Sequence, residues 1–311
     1  MSARVELLWW GEKRLSLRHP DAMHTLAFVN QKGGCGKTTT AVNLAAALAR
    51  KEKRVLLVDL DPQAHATLAL SCALEDEPSI ADVLLHGVPV TEVVHRAPAE
   101  IDLVPSTLAL AEFEEAAEHV LKPERILRRA LSDLSEGYDF AILDCPPRAD
   151  GVLTANALRA SDTVVLVVET GAFALQGAFR AIGILEGVAE GMEAEFDLRV
   201  LATMYDRRMR LARELLIGTQ ARFGPLMFDT VIHQSVRLRE AAACGLPVQE
   251  LDPGSRATRD FDALADEVVA LGNAYVLTPR PAHERESDRE GTEPVRPIAS
   301  VGSSEKDPWT V

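Results

Sequence analysis

Gln-Lys-Gly-Gly-Cys-Gly-Lys-Thr-Thr-Thr occupies residues 31–40, between the apolar run Leu26-Ala27-Phe28-Val29 and a stretch of Ala, Leu and Val with helical periodicity. A glycine-rich turn that joins a buried strand to a helix leaves a chain few folds. Its glycines let successive backbone N–H groups point inward, and the helix behind them adds the positive end of its dipole, so the turn cradles polyphosphate. Lys37 is placed to reach the outer phosphates and Thr38 to hold Mg²⁺. A strict G-x-x-x-x-G-K-[ST] pattern requires glycine at position 31, where this chain has Gln31, and a second lysine, Lys32, stands inside the loop. The loop is therefore a deviant form of the phosphate-binding motif.

Further apolar runs alternate with helix-length amphipathic stretches: Val55 to Val58, Ile101 to Val104, Phe140 to Leu143, Val164 to Val168 and Leu198 to Thr203. This alternation predicts an α/β fold, a doubly wound and mostly parallel sheet with helices on both faces. Val-Val-Leu-Val-Val at 164–168 lacks polar alternation, as a strand covered on both sides should. Ligands of such sheets bind beyond the carboxyl ends of the strands. The expected organisation is an N-terminal extension over residues 1–24 with a possible hairpin around Gly11, a P-loop domain over 25–278, and a disordered tail over 279–311 rich in Pro, Glu, Arg and Ser. No apolar run of about 18 residues and no signal-peptide core occur, so the expected location is the cytoplasm. Cys35, Cys72, Cys145 and Cys244 form no C-x-x-C pair, which fits packed thiols better than a zinc site or disulfide frame.

Two further segments end apolar runs with carboxylates. Val58-Asp59-Leu60-Asp61-Pro62-Gln63 carries two acids, and Phe140-Ala141-Ile142-Leu143-Asp144-Cys145-Pro146-Pro147 delivers one acid in the manner of a Walker B strand. Each is weak alone, but phosphoryl transfer needs a phosphate cradle, metal support and water positioning at one sheet edge, and here they follow one another in order. With these motifs the chain resembles the ParA/Soj family of deviant Walker A ATPases, relatives of MinD. The resemblance runs over roughly residues 25–275 and includes Ala174-Leu175-Gln176-Gly177, Val236-Arg237-Leu238-Arg239-Glu240-Ala241 and Gly245-Leu246-Pro247.

The resemblance implies an ATPase with ATP and Mg²⁺ as ligands. Gly33, Gly34, Cys35, Gly36, Lys37, Thr38 and Thr39 would hold the nucleotide, Thr38 the metal, and Asp59 and Asp144 the metal's water shell. Asp61 would orient the attacking water. Lys32, the signature lysine, would cross a face-to-face homodimer to the partner's nucleotide. No strong hydrolytic Gln or Arg finger is evident, so turnover is expected to be slow and open to acceleration by a ParB-like partner.

The formal net charge of −14 argues against a protein coated with nucleic acid, yet Arg207-Arg208-Met209-Arg210-Leu211-Ala212-Arg213 concentrates positive charge locally. By resemblance, Arg208 and Arg237 fall where family members bind DNA without sequence preference, and such binding is mostly phosphate contact. Where the family commonly has Ile-Pro-Arg-Asn, this chain has Ile232-His233-Gln234-Ser235, which predicts a less basic surface and gives His233 no chemistry of its own. The leading expectation is a nucleoid-associated partition ATPase. A MinD-like membrane switch is disfavoured because Pro279, Pro281, Pro294 and Pro297 break any amphipathic C-terminal helix, so no stable membrane association is expected; Trp9-Trp10 is the remaining membrane candidate. A P-loop amide ligase or synthetase is the third reading, with no small-molecule site marked in the sequence.

Overall fold

The computed structural model describes residues 23–72, 77–192 and 194–276. The predicted N-terminal hairpin, the Trp9-Trp10 segment and the tail lie outside the described residues.

The first strand, β1 (His24–Val29), is buried along its whole length, as expected of an apolar run with no polar alternation. Its one imidazole is accommodated by a partner: His24 Nε2 lies 3.1 Å from Thr163 Oγ1. After the glycine loop comes α1 (Lys37–Ala49), which buries nearly every side chain from Thr40 to Leu48. The chain continues through β2 (Val55–Asp59), α2 (His65–Ala69), α3 (Ile80–His86), β3 (His95–Arg96), β4 (Asp102–Val104), α4 (Leu110–Ala116) and α5 (Ile126–Ser132). The second half runs β5 (Phe140–Asp144), α6 (Val152–Ala160), β6 (Thr163–Glu169), α7 (Ala174–Met192), β7 (Asp197–Thr203) and α8 (Arg210–Phe223). It closes with α9 (Val236–Ala243), α10 (Val248–Leu251) and α11 (Arg256–Val276).

The strands form one seven-stranded sheet in the order β3-β4-β2-β5-β1-β6-β7. All neighbouring pairs are parallel except β3 with β4. The doubly wound reading therefore holds, and each predicted strand is present within a residue or two. β3 was not foreseen. It is a two-residue edge strand, too short to show any period in the sequence.

Successive residues of each strand point to opposite faces, and the core divides accordingly. Ala27, Val29, Leu56 and Val58 pack in one cluster with Leu84, Phe113, Leu153 and Leu185 from α3, α4, α6 and α7. Leu26, Phe28, Val55 and Leu57 pack in the other with Leu44 and Leu48 of α1 and Phe261 and Leu264 of α11. β1 sits between β5 and β6, and the chain leaves it toward β2 on one side and later adds β6 on the other. This reversal opens a crevice at the carboxyl end of β1. The same edge receives the acids, because Asp144 pairs in register with both Phe28 and Asp59.

Candidate functional site

The loop after β1 turns through Gly34 at φ +75° and Gly36 at φ +96°. Glycine adopts this left-handed region without the Cβ clash that other residues meet. Gly36 is also the N-cap of α1 and offers no side-chain oxygen to the helix's first amides. Those amides are left for an anion. The loop is tied down from the far strand, where Thr203 Oγ1 at the end of β7 donates to the Cys35 carbonyl at 2.8 Å. Cys35 itself is fully buried, and burial pushes its thiol up, so it fills a small-residue slot, as the sequence suggests.

The two loop lysines part company. Lys37 is only 7% exposed and, with Thr38, Thr39 and Asp61, lines a cavity of about 410 Å³ whose opposite wall carries Leu238 and Ala242 of α9. Lys32 is outside that cavity, its side chain 60% exposed, and its ammonium is paired with Glu169 at the end of β6.

The three acids also divide by role. Asp59 is fully buried and already engaged: Oδ1 accepts the Asp61 amide at 3.1 Å, and Oδ2 accepts the Thr67 amide at 2.9 Å and the Thr67 hydroxyl at 2.8 Å. It therefore clamps the turn from β2 into α2. Burial pushes its carboxyl up to about 6, against the pull of those hydrogen bonds. Asp61 Oδ1 accepts the Gln63 amide at 2.9 Å, and its Oδ2 faces His65, whose Nδ1 lies 3.9 Å away. Asp144 is fully buried, and neither of its oxygens has a hydrogen-bond partner among the described residues. Burial and the neighbouring Asp59 charge raise its carboxyl well above the ordinary range, opposed by Thr38 and Lys37.

Two orphaned carboxylate oxygens beside Thr38 fit a hydrated divalent cation. Mg²⁺ keeps several waters and is held by one or two protein groups plus substrate phosphates, so a preformed cage is not required. No group of three or more His, Cys, Asp or Glu side chains placed to hold a metal occurs among the described residues. Thr38 and Asp144 fit this role best, while Asp59 has the hydrogen-bonded duties of an anchor. His65 and Glu169 were missed by the sequence reading. Glu169 reaches Lys32 from 137 residues away, a contact only folding supplies, whereas His65 lies just four residues beyond Asp61.

A second cavity, of about 530 Å³, opens beside α9 and is lined by Arg207, Arg208, Arg239, Arg256 and His233, among others. Its walls are joined by backbone bonds: Tyr205 N–H donates to the Ile232 carbonyl and Gln234 N–H to the Tyr205 carbonyl, both at 3.1 Å. Arg208 lies here, as expected, but holds Asp206 through a two-pronged contact at 3.0 and 2.8 Å. Arg237 is not part of the lining; it pairs with Glu240 at 2.8 Å and Asp252 at 3.2 Å. Beside the 232–235 segment lies Arg256, whose Nη2 donates to His233 Nε2 at 2.7 Å. Because arginine only donates, His233 must carry its proton on Nδ1, which faces Asp260 Oδ2 at 2.9 Å.

Comparison with known proteins agrees with this arrangement. A family model described as an AAA domain matches residues 23–198. The chromosome-partitioning ATPase Soj of Thermus thermophilus is 42% identical over 252 residues, 79% of this chain and 95% of that protein. The sporulation initiation inhibitor protein Soj of Bacillus subtilis is 39% identical over 250 residues, covering 79% and 98%. Among solved structures, cobyrinic acid a,c-diamide synthase from Mycobacterium smegmatis with bound ATP analogue and magnesium superposes with a TM-score of 0.71 at 29% identity, over 84% of this chain and all of that one. With the deviant loop, the paired acids and relatives matched across nearly their full length, the chain belongs to the ParA/Soj family of deviant Walker A ATPases.

Proposed function

We propose that this ATPase is a partition switch: an ATP-dependent homodimer that binds DNA without sequence preference and releases it when a ParB-like partner stimulates hydrolysis. Its cargo would be a chromosome, a plasmid or a protein assembly. The carrying observation is the division of labour between the loop lysines, one inside the nucleotide cavity and one exposed at its rim. The exposure of Lys32 outside the cavity lining supports a reading in which it reaches a nucleotide held by a second protomer.

The chemistry follows from the same residues. Amides of residues 33–39 and Lys37 neutralise and orient the phosphates. Thr38 and Asp144 would hold Mg²⁺, which would supply positive charge to offset that of the phosphates. Asp61 Oδ2 accepts a hydrogen bond from the water that attacks the γ-phosphorus; the bond to the bridging oxygen breaks, and ADP, inorganic phosphate and a proton result. Among the described residues that line the cavity there is no arginine and Lys37 is the one lysine, which supports a slow basal rate and a role for outside stimulation. Domain limits of 25–278, flanked by an extension and a tail, are part of the same reading.

Light scattering coupled to size-exclusion chromatography tests it. With ATP and Mg²⁺, wild type should run at twice the mass found with ADP, Lys32→Ala should stay monomeric, and Asp61→Ala should hold the dimer without turnover. Equal masses for wild type and Lys32→Ala in ATP would refute the switch.

The ligase reading gains weight from the synthase structure but not from the site. The polar groups that line the cavity beyond the phosphate loop, Asp61, Gln63 and His65, belong to the segment already read as positioning the attacking water, and Leu238, Ala242 and Leu246 supply apolar lining.

A further inference from the structure

Hydrolysis of ATP at neutral pH releases a proton, and a carboxylate that takes it from the attacking water cannot serve again until it has passed it on. Asp61 is poorly placed to do so alone. Its side chain is only 9% exposed, and Oδ1 is held by the Gln63 amide at 2.9 Å, which leaves Oδ2 for the water. Facing Oδ2 is His65, whose Nδ1 lies 3.9 Å away and whose side chain is 62% exposed. Both residues line the nucleotide cavity, so the pair runs from a buried acid to solvent.

The backbone sets this juxtaposition. The Asp61 carbonyl accepts the Ala64 amide at 2.8 Å, and the left-handed Ala64 turns the chain into α2, whose first residue is His65. Asp59 fixes the same turn at two points, through the amides of Asp61 and Thr67. The buried Ala66 and Thr67 anchor the helix behind the exposed imidazole. Among the described residues lining the cavity, the remaining titratable side chain is Lys37, and α1 and α2 carry no other. Of the charged residues of α9, Arg237 pairs with Glu240 and Arg239 lines the second cavity. Asp59 and Asp144 are fully buried and act on Asp61 by charge alone.

We propose that His65 is the positioning residue that takes the hydrolytic proton from Asp61 and delivers it to solvent. This role rests on the reading of Asp61 as the acceptor for the attacking water. As the water oxygen bonds to the γ-phosphorus, the bond from phosphorus to the bridging oxygen breaks and ADP keeps its electron pair. The water's proton moves to Asp61 Oδ2 and on to Nδ1 of a neutral His65 that carries its own proton on Nε2. The imidazolium then gives up the Nε2 proton to bulk water. ADP, inorganic phosphate and one proton leave, and both side chains return to their starting forms. At 3.9 Å the pair is beyond a hydrogen bond, as catalytic contacts in nucleotide-free sites often are before substrate tightens them. At acid pH the ring is already charged, so it has no lone pair for the proton and holds Oδ2 in an ion pair.

The experiment is single-turnover hydrolysis of γ-labelled ATP by excess full-length protein with Mg²⁺, from about pH 5 to 8, the interval in which imidazole changes charge. The wild-type rate should fall toward the acid end. His65→Ala should lower the rate at about pH 8 by about tenfold or more, lose the acid limb, and leave ATP affinity within about threefold of wild type. His65→Gln, which keeps a polar side chain but takes up no proton, should behave as His65→Ala. Imidazole added to the buffer should restore much of the His65→Ala rate together with the limb, and do nothing for Asp61→Ala. Melting curves that match wild type exclude misfolding as the cause. If His65→Ala matches wild type at the alkaline end, or keeps the acid limb as it would were Asp59 or Asp144 its source, the assignment is overturned while that of Asp61 stands. A loss that imidazole does not restore makes His65 a structural support and also overturns it. If Asp61→Ala itself turns over like wild type, the reading of Asp61 fails and takes the role of His65 with it.

Discussion

Lys32 and Lys37 stand five positions apart in one loop, yet one is buried against the phosphate cradle and the other is tethered at the rim by Glu169. That tether is a surface ion pair, worth about 0–1 kcal/mol. Freeing the lysine should favour dimerisation: Glu169→Gln is expected to lower the ATP concentration for half-dimerisation by up to about fivefold in light scattering, and a rise would show that Glu169 supports the interface instead. The buried acids make a different prediction. Burial raises the Asp59 carboxyl to about 6 from an ordinary 3.8, and burial with the Asp59 charge raises Asp144 as well. A carboxyl with a raised folded value holds its proton more tightly folded than unfolded, so its contribution to stability is largest below the ordinary value and is lost as pH rises through the folded one. Nucleotide-free protein should therefore lose stability from this pair as pH rises from about 4 to above 6. Asp144→Asn should remove much of that loss, gaining about 1–3 kcal/mol over wild type at pH 7 in urea melts while abolishing turnover. A stability difference that does not change with pH would contradict the assignment.

At the scale of elements, the turn from β2 into α2 is held by Asp59 and by a left-handed Ala64 at φ +53° as its N-cap. A side chain there costs about 1 kcal/mol relative to glycine, so Ala64→Gly should leave stability level or slightly higher, and slow hydrolysis if this strain keeps Asp61 aimed. The turn after α9 is less forgiving. Gly245 has φ +69°, and a Cβ placed there would lie 1.5 Å from Ser71 Oγ and 2.7 Å from Ser71 Cβ. No rotamer of Ser71 clears both atoms, so Gly245→Ala should cost about 2–4 kcal/mol in urea unfolding, by clash and backbone strain together. The Gly245-Leu246-Pro247 motif is thus a packing requirement between the turn after α9 and the segment after α2, and α9 and α2 themselves border the nucleotide cavity. Among the described residues no helix is long and apolar enough to cross a membrane.

For the whole molecule, the net charge of −14 and the basic cavity together set how DNA binding should respond to salt. With about four phosphate contacts per dimer, affinity should fall about a hundredfold between 50 and 200 mM salt, and a flat dependence would exclude phosphate-dominated binding. The sheet, the glycine loop and the strand-end acids were all legible in the sequence, because each is contiguous: a run of buried residues, a turn that only glycine makes, an acid one step past an apolar strand. β3 was not legible, being two residues long and stabilised only by its neighbour β4. Nor were the hydrogen bonds of Asp59 legible: its sequence context matches that of Asp61, but its Oδ2 accepts both the amide and the hydroxyl of Thr67, eight residues on. The arginines make the contrast plainest. Local order determined that positive charge gathers at 207–213 and 237–239, since composition alone sets that density. Tertiary structure decided how these guanidiniums pair beyond their near neighbours Asp206 and Glu240: it brings Asp252, from the turn before α11, to 3.2 Å from Arg237 and His233 to 2.7 Å from Arg256, distances that sequence order does not encode.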